Sequence, residues 1–300
     1  MTLKKPATKK IQNKIEKVVI VYRKDTPLAQ NKAEELADWL IARDLQVYSH
    51  SAQMLQLKSS GKKLPKVKML AEVDLVLVLG GDGTYLEAVR MLENQEVPIL
   101  GINMGSLGFL THVPVDKMYE EIEKTLKLKM QMRPRAMLDV RVKSKGKIVA
   151  QHRALNDIVI ERGSNSHLTH FSVFVNEQLI SSIKADGVII ATPTGSTAYN
   201  LAAGGPILHP ETQSIVVTPI CPHSLTHRPT ILPDHVGMSF KLNDPLKKAF
   251  LTVDGVHSGE ISGEDEVLVE RCACVHYVLR DPSHNYFNLL REKLKFGERA

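Results

Sequence analysis

The apolar run Leu75-Val-Leu-Val-Leu79, preceded by Asp74, has no polar interruption. A run of this kind is a strand buried on both faces, and such strands belong to parallel sheets covered by helices. It stops at Gly80-Gly-Asp-Gly-Thr84, and a helix-forming run follows from Tyr85 through Leu92. A strand, a glycine turn and a helix start in that order make a place where backbone N–H groups approach a phosphate. Asp82 is the odd member, because a carboxylate repels a phosphate unless a metal ion or a hydroxyl stands between them.

The flanking sequence fits an α/β unit. Val18–Tyr22 is a short β-branched strand, and residues 27–43 carry Ala33, Leu36, Ala37, Leu40 and Ile41 at helical spacing. Residues 45–48 form a second strand and the lysine-rich residues 58–68 a loop. Val97-Pro-Ile-Leu-Gly-Ile102 is a further strand, followed by a second glycine-punctuated segment from Asn103 to Leu110 with an exposed-looking Phe109. Residues 113–129 are expected to be helical. Alternating strands and helices predict a parallel sheet with right-handed crossovers, and ligands gather outside the carboxyl ends of its strands.

Past Arg133-Pro134-Arg135, read as a boundary, the texture changes. Residues 137–142 alternate apolar and polar, and 143–147 with Gly146 make a hairpin turn. Short strand-like runs follow at Ile158–Ile160, Phe171–Val175, Val188–Ala191, Ile215–Thr218, Ser239–Leu242, Leu251–Val253 and Val267–Val269, with Ser196–Ala203 the one helical interlude. The expectation is therefore an α/β N-terminal domain with a parallel sheet over residues 1–135. An all-β, two-sheet, sandwich-like domain covers 136–282, and a terminal helix in 283–300 returns to the first.

Composition narrows the function classes. The apolar and charged fractions, 43% and 24%, are those of a globular protein, and no apolar run approaches the ~20 residues that span a bilayer. A net charge of +6 suits an anionic small molecule and is too dispersed for nucleic acid. The densest basic cluster, Lys4 to Lys17, reads as a solvated tail and lacks the apolar core of a secretory signal. Three cysteines agree with a reducing compartment, hence a cytoplasmic location. Cys272 and Cys274 face one side of a strand and read as buried packing, with no cluster that completes a metal set.

Two glycine- and hydroxyl-rich constellations carry the chemistry. Gly80, Gly81, Gly83 and Thr84 surround Asp82 in a turn that is neither a Walker loop nor a dinucleotide fingerprint, since Leu86 stands where the third glycine would fall. A carboxylate set into a phosphate-binding turn points to a kinase. The second is Ala191-Thr-Pro-Thr-Gly-Ser-Thr-Ala-Tyr-Asn200, four hydroxyls at a helix start where an ordinary cap needs one. Tyr199 either stacks on a flat ring or fills core. Asn156-Asp157, Asp186-Gly187 and Asp254-Gly255 are, taken singly, turn signals. Lys184 is equally a pyrophosphate contact or a solvated strand lysine.

In that order these motifs resemble the NAD kinases, over most of the chain from Val18 to the final helix. The first motif is shared in related forms by diacylglycerol kinases, sphingosine kinases and phosphofructokinases; Thr192–Tyr199 is far more specific. One departure is Asn156-Asp157, where the family usually has Asn-Glu: the charge is kept and one methylene of reach is lost. The resemblance implies transfer of a phosphoryl group from ATP or another donor, with Mg²⁺ or another divalent cation, to the adenosine ribose 2′-hydroxyl of NAD. It implies Asp82 as general base, and Asn156 and Asp157 as holders of NAD. Thr194, Thr197, Ala198 and Tyr199 then bind the base and nicotinamide ends, while Asp186 and Asp254 assist, across a subunit interface in a homodimer or homotetramer. No membrane or nucleic-acid partner is implied. The alternatives are a lipid kinase, which needs an apolar entrance for an acyl chain, and a non-catalytic NAD(P)-binding regulator on the same scaffold.

Overall fold

The structure is a computed structural model that describes residues 7–11, 13–68, 72–93, 95–163, 168–244 and 247–295. Part of the basic tail, including Lys4 and Lys5, and the last residues of the C-terminal segment lie outside these. The chain divides into two compact units, one formed by residues up to Pro134 together with His276 onward, the other by Arg135–Val275.

In chain order the first unit holds β1 (Lys9–Lys10), β2 (Lys17–Tyr22), α1 (Pro27–Ile41), β3 (Gln46–Ser49), β4 (Leu75–Gly80), α2 (Asp82–Leu92), β5 (Ile99–Asn103), β6 (Val113–Pro114) and α3 (Met118–Leu126). Strands β3, β2, β4 and β5 lie side by side in that order, all parallel. Every residue of β4 is buried, as its unbroken apolar run requires. The chain runs outward from β2 to β3, then resumes at β4 on the other side of β2. The order therefore reverses between β2 and β4, the switch point at which open α/β sheets bind ligands. Helix α1 starts at Pro27, well suited to a first turn, and packs Ala29, Ala33, Leu36, Ala37 and Leu40 inward. Ile41, assigned to the same stripe, is instead exposed at the helix end. The helix expected over 113–129 is shorter: β6 pairs with β5, a 3₁₀ turn covers Val115–Lys117, and Leu128 has φ +56.

Strand β7 (Gln131–Ser144) runs straight through Arg133-Pro134-Arg135. The second unit continues with β8 (Lys147–Ala154), β9 (Asp157–Arg162), β10 (Thr169–Val175), β11 (Gln178–Ala185), β12 (Gly187–Ala191), α4 (Tyr199–Ala202), β13 (Ser214–Ile220), β14 (Thr230–Pro233), β15 (Met238–Leu242), β16 (Lys248–Val253) and β17 (Val256–Ser262). The turn between β7 and β8 places Lys145 and Gly146 at φ +47 and +83, as a two-residue hairpin requires. One antiparallel sheet has the order β14-β13-β12-β9-β16-β17. The other layer contains β7, β8, β10, β11, β15 and β18 (Asp265–Arg280), whose last residues reach the first unit, where Val278 pairs with Ile99. Ile158, Ile160, Val188 and Ile190 meet Phe171, Val173, Phe240 and Val267 in the core between the layers. Val159, Ile189 and Ala191 point the other way and are covered by Ala203 and Leu208, which explains unbroken apolar runs in antiparallel strands.

Cys272 and Cys274 are joined by a disulfide, a correction to simple buried packing. Residues i and i+2 of a strand project from one face, which brings the two sulfurs together. Helix α5 (Tyr286–Leu294) is capped by Asn285, whose side chain accepts the Phe287 N–H, and buries Leu289 and Leu290. No helix among the described residues is long and apolar enough to cross a membrane.

Candidate active site

The first cluster forms where β4 ends. Gly80 is required by packing, since a Cβ there would lie 2.4 Å from Thr84 Oγ1. Gly81 and Gly83 have nothing within 4 Å of such an atom, so they leave the backbone at the start of α2 bare. The first-turn N–H groups of a helix have no partner within it and carry the positive end of its dipole. Asp82 is the first residue of α2, but its carboxylate turns to the second glycine segment. Oδ1 accepts the Leu110 and Thr111 N–H groups and the Thr111 hydroxyl, each at 3.0 Å, and Oδ2 accepts the Phe109 N–H at 2.8 Å. Gly108 makes this approach possible, because a Cβ there would sit 2.1 Å from Oδ1. Asp82 thus fastens residues 109–111 beside the helix start, and Oδ2 keeps one open lone pair on a side chain 29% exposed.

Two cations from late in the chain reach this cluster, and neither was legible as a motif. Arg280, at the end of β18, is 2% exposed and donates to the Phe109 carbonyl at 2.6 Å. Its Nη1 has no partner, and burial lowers its pKa to about 10 against the opposing influence of Tyr85 and Asp82. Lys293 of α5 places Nζ 3.9 Å from Asp82 Oδ2 and 4.7 Å from the centre of the Phe109 ring. Phe109 is accordingly half-buried rather than exposed. The one available signal for Thr111 was its place just beyond the second glycine segment; Arg280 and Lys293 carried no local signal.

The second cluster lies in the β-rich unit. Asp254 and Gly255 form the β16–β17 hairpin tip at φ +46 and +74. The Asp254 carboxylate accepts the N–H groups of Leu155, Asn156 and Asp157 at 2.8, 2.7 and 3.1 Å. Asp157 is 5% exposed. Burial, then the charge of Asp254, push its carboxyl up to about 7, against a lowering contact with the Tyr199 backbone. Thr192 donates to the Leu155 carbonyl and accepts the Gly195 N–H, and its own N–H meets the Asn156 carbonyl. Gly195 is obligatory, since a Cβ would fall 2.0 Å from the Asn156 oxygen.

The four hydroxyls now divide. Thr192 and Ser196 are spent on backbone partners, Ser196 donating to the Pro193 carbonyl and accepting from Leu208. Thr194 Oγ1 is buried without a partner, and Thr197 makes one long bond of 3.4 Å. The helix expected at 196–203 is broken into a 3₁₀ turn, Gly195–Thr197, and the single turn α4. Ala198 between them has ψ −130, and Asn200 holds the bend by donating to Ser196 and Pro206 carbonyls. Tyr199 is 44% exposed and is not core. With Glu161, Arg162, Gly163, Asp186 and Ile220 it lines a cleft of about 340 Å³, where Asp186 pairs with Arg162 at 3.0 Å. Lys184 is exposed on β11 opposite His170 and is not part of this lining.

A helix start with bare amides at a sheet's switch point, beside a fixed carboxylate, defines a small-molecule kinase. Residues 18–130 match the ATP-NAD kinase N-terminal domain, and residues 155–280 match the ATP-NAD kinase C-terminal domain. The chain belongs to the NAD kinase family, and its function is the family's, the phosphorylation of NAD. It is 50% identical over 281 residues to the NAD kinase of Bdellovibrio bacteriovorus, covering 93% of this chain and 92% of that one. It is 40% identical over 288 residues to the NAD kinase of a Geobacter species, covering 95% and 100%. Among solved structures, yeast NADH kinase complexed with NADH superposes with a TM-score of 0.88 at 27% identity over 96% of this chain and 90% of that one. An NAD kinase from Archaeoglobus fulgidus in complex with ATP has the same fold, with a TM-score of 0.70 at 22% identity over 93% and 98%.

Proposed function

We propose that Asp82 is the general base that takes the proton of the NAD ribose 2′-hydroxyl as that oxygen attacks the terminal phosphorus of ATP or another phosphoryl donor. The observation that carries this reading is the Asp82 carboxylate itself. Four donors fix its position, and Oδ2 retains an open lone pair beside the first turn of α2. The new O–P bond forms as the bond to the donor's bridging oxygen breaks, and the 2′-proton passes to Oδ2. Gly80, Gly81, Gly83 and Thr84 shape the turn whose amides receive the donor's phosphates. A positioned base contributes ~10²–10⁴, and in-line placement and charge neutralisation supply the rest.

Asn156, Asp157, Thr194, Thr197, Ala198, Tyr199 and Asp186 are assigned to NAD. The partnerless Thr194 hydroxyl and the exposed Tyr199 ring support this assignment. Asp254 acts through residues 155–157 rather than on the dinucleotide. Lys184 is retained only as a distant pyrophosphate contact.

Among the described residues no three His, Cys, Asp or Glu side chains converge as a cation cage. This donor set does not fit a resident metal. It suits Mg²⁺ carried by the donor's own phosphates and water, and no step above runs through it. A cytoplasmic homodimer or homotetramer is part of the same reading and rests on family membership.

The test is incubation of the purified protein with NAD, ATP and Mg²⁺, followed by assay of NADP and of the phosphorylated position. Phosphate at the 2′-position is expected; NAD bound without NADP formed under any donor would overturn the mechanism.

A further inference from the structure

The first unit holds a cation whose placement the roles above leave unused. Lys293 is exposed at the margin of the α5 face that carries the buried Leu289 and Leu290, four and three residues earlier. Its Nζ stands 3.9 Å from Asp82 Oδ2, beyond hydrogen-bond range, and rests 4.7 Å from the centre of the Phe109 ring. A ring face and a distant carboxylate steer an ammonium without consuming its three N–H donors. The side chain is 30% exposed, so the ammonium remains reachable by an anion. That position is beside the open oxygen of Asp82 and the bare amides that start α2.

We propose that Lys293 donates to the non-bridging oxygens of the phosphoryl group in transfer, so that the C-terminal helix supplies a catalytic residue. The inference rests on the reading of Asp82 as general base. As negative charge gathers on the transferring group and its leaving oxygen, the ammonium shifts from the 3.9 Å pairing to a direct phosphate contact. A cation committed to charge that develops in the transition state raises turnover more than ground-state affinity.

The experiment uses the full chain with NAD, ATP and Mg²⁺. Lys293→Met keeps an apolar stem over Phe109 and removes the charge; Lys293→Arg keeps a cation. The expected result for Lys293→Met is a fall in kcat of about 10²-fold with KM for NAD within about threefold and an unchanged unfolding midpoint. Lys293→Arg should recover most of the loss. A fall in kcat below about tenfold, a loss that follows KM for NAD or the unfolding midpoint, or no recovery by arginine overturns the inference. Asp82→Asn measured alongside separates the two claims. If it loses turnover and Lys293→Met does not, only the Lys293 role fails. If Asp82→Asn is itself near normal, the Asp82 reading fails and the inference falls with it.

Discussion

Asp254 holds the N–H of Asp157 with its own carboxylate, so two acidic side chains share one buried corner. The Asp157 carboxyl is pushed from 3.8 to about 7, first by burial and then by the Asp254 charge. An acid with a raised folded pKa destabilises the fold once it ionises. Its contribution is fully present below about pH 4 and is lost as pH rises through about 7, an effect on the order of 4 kcal/mol at most. Unfolding of the ligand-free protein at a series of pH values should show stability falling between about pH 4 and 7 and levelling above that. Asp157→Asn should flatten that slope; an identical slope in the variant would place the pH dependence elsewhere.

Asp82 has both a fastening role and a chemical one, and two variants separate them. Asp82→Asn keeps an oxygen toward Leu110 and Thr111 but sets an amide against the Phe109 N–H. Turnover should fall ~10²-fold or more, with some loss of thermal stability. Thr111→Val removes one donor to Oδ1 and leaves the carboxylate ionisable. Its turnover should fall by less than about tenfold, and the comparison of kcat at equal unfolding midpoint decides whether the base is Asp82.

Thr194 yields effects of opposite sign. Its hydroxyl is buried without a partner, and an unsatisfied buried polar group costs about 1–3 kcal/mol. Thr194→Val should therefore leave the free protein equally or more stable. If the hydroxyl serves NAD, the same variant should weaken NAD binding by about tenfold, one lost hydrogen bond. Calorimetric titration and thermal unfolding of one preparation give both numbers, and unchanged affinity would remove Thr194 from the site.

The glycines differ in the same testable way. Gly195→Ala puts a methyl group into the Asn156 carbonyl, a backbone atom that cannot swing aside, so both stability and NAD binding should drop. Gly81→Ala meets open space at φ −108. It should leave the unfolding midpoint unchanged while raising KM for ATP, because the added methyl group covers amides the donor uses. A normal KM for ATP would show that the donor does not approach there.

The buried β4, the glycine turn and helix α2 were legible because each rests on contiguous residues and one period. Hairpin turns such as Lys145-Gly146 were legible for the same reason. Strand β11 was not, because Leu179 and Ile180 are exposed on an edge and break the alternation that marks a strand. The bend at Ala198 was hidden because Asn200 imposes it through partners on both sides.

By itself the sequence determined where backbone amides would be laid bare and which carboxylates stood beside glycines, and the likeness of its motifs to the NAD kinases implied that NAD is the molecule phosphorylated. Tertiary structure alone decided what each of those groups is free to do. Hydrogen-bond capacity is spent in three dimensions: Asp254 and Thr192 are consumed by the backbone of residues 155–157 and 195, Thr194 is left unspent, and Asp82 keeps one lone pair of its carboxylate. The arrival of Arg280 and Lys293 beside Phe109 depends on a strand and a helix far along the chain returning to the first unit. No local pattern encodes that return, because it is settled by the burial of Leu279, Leu289 and Leu290.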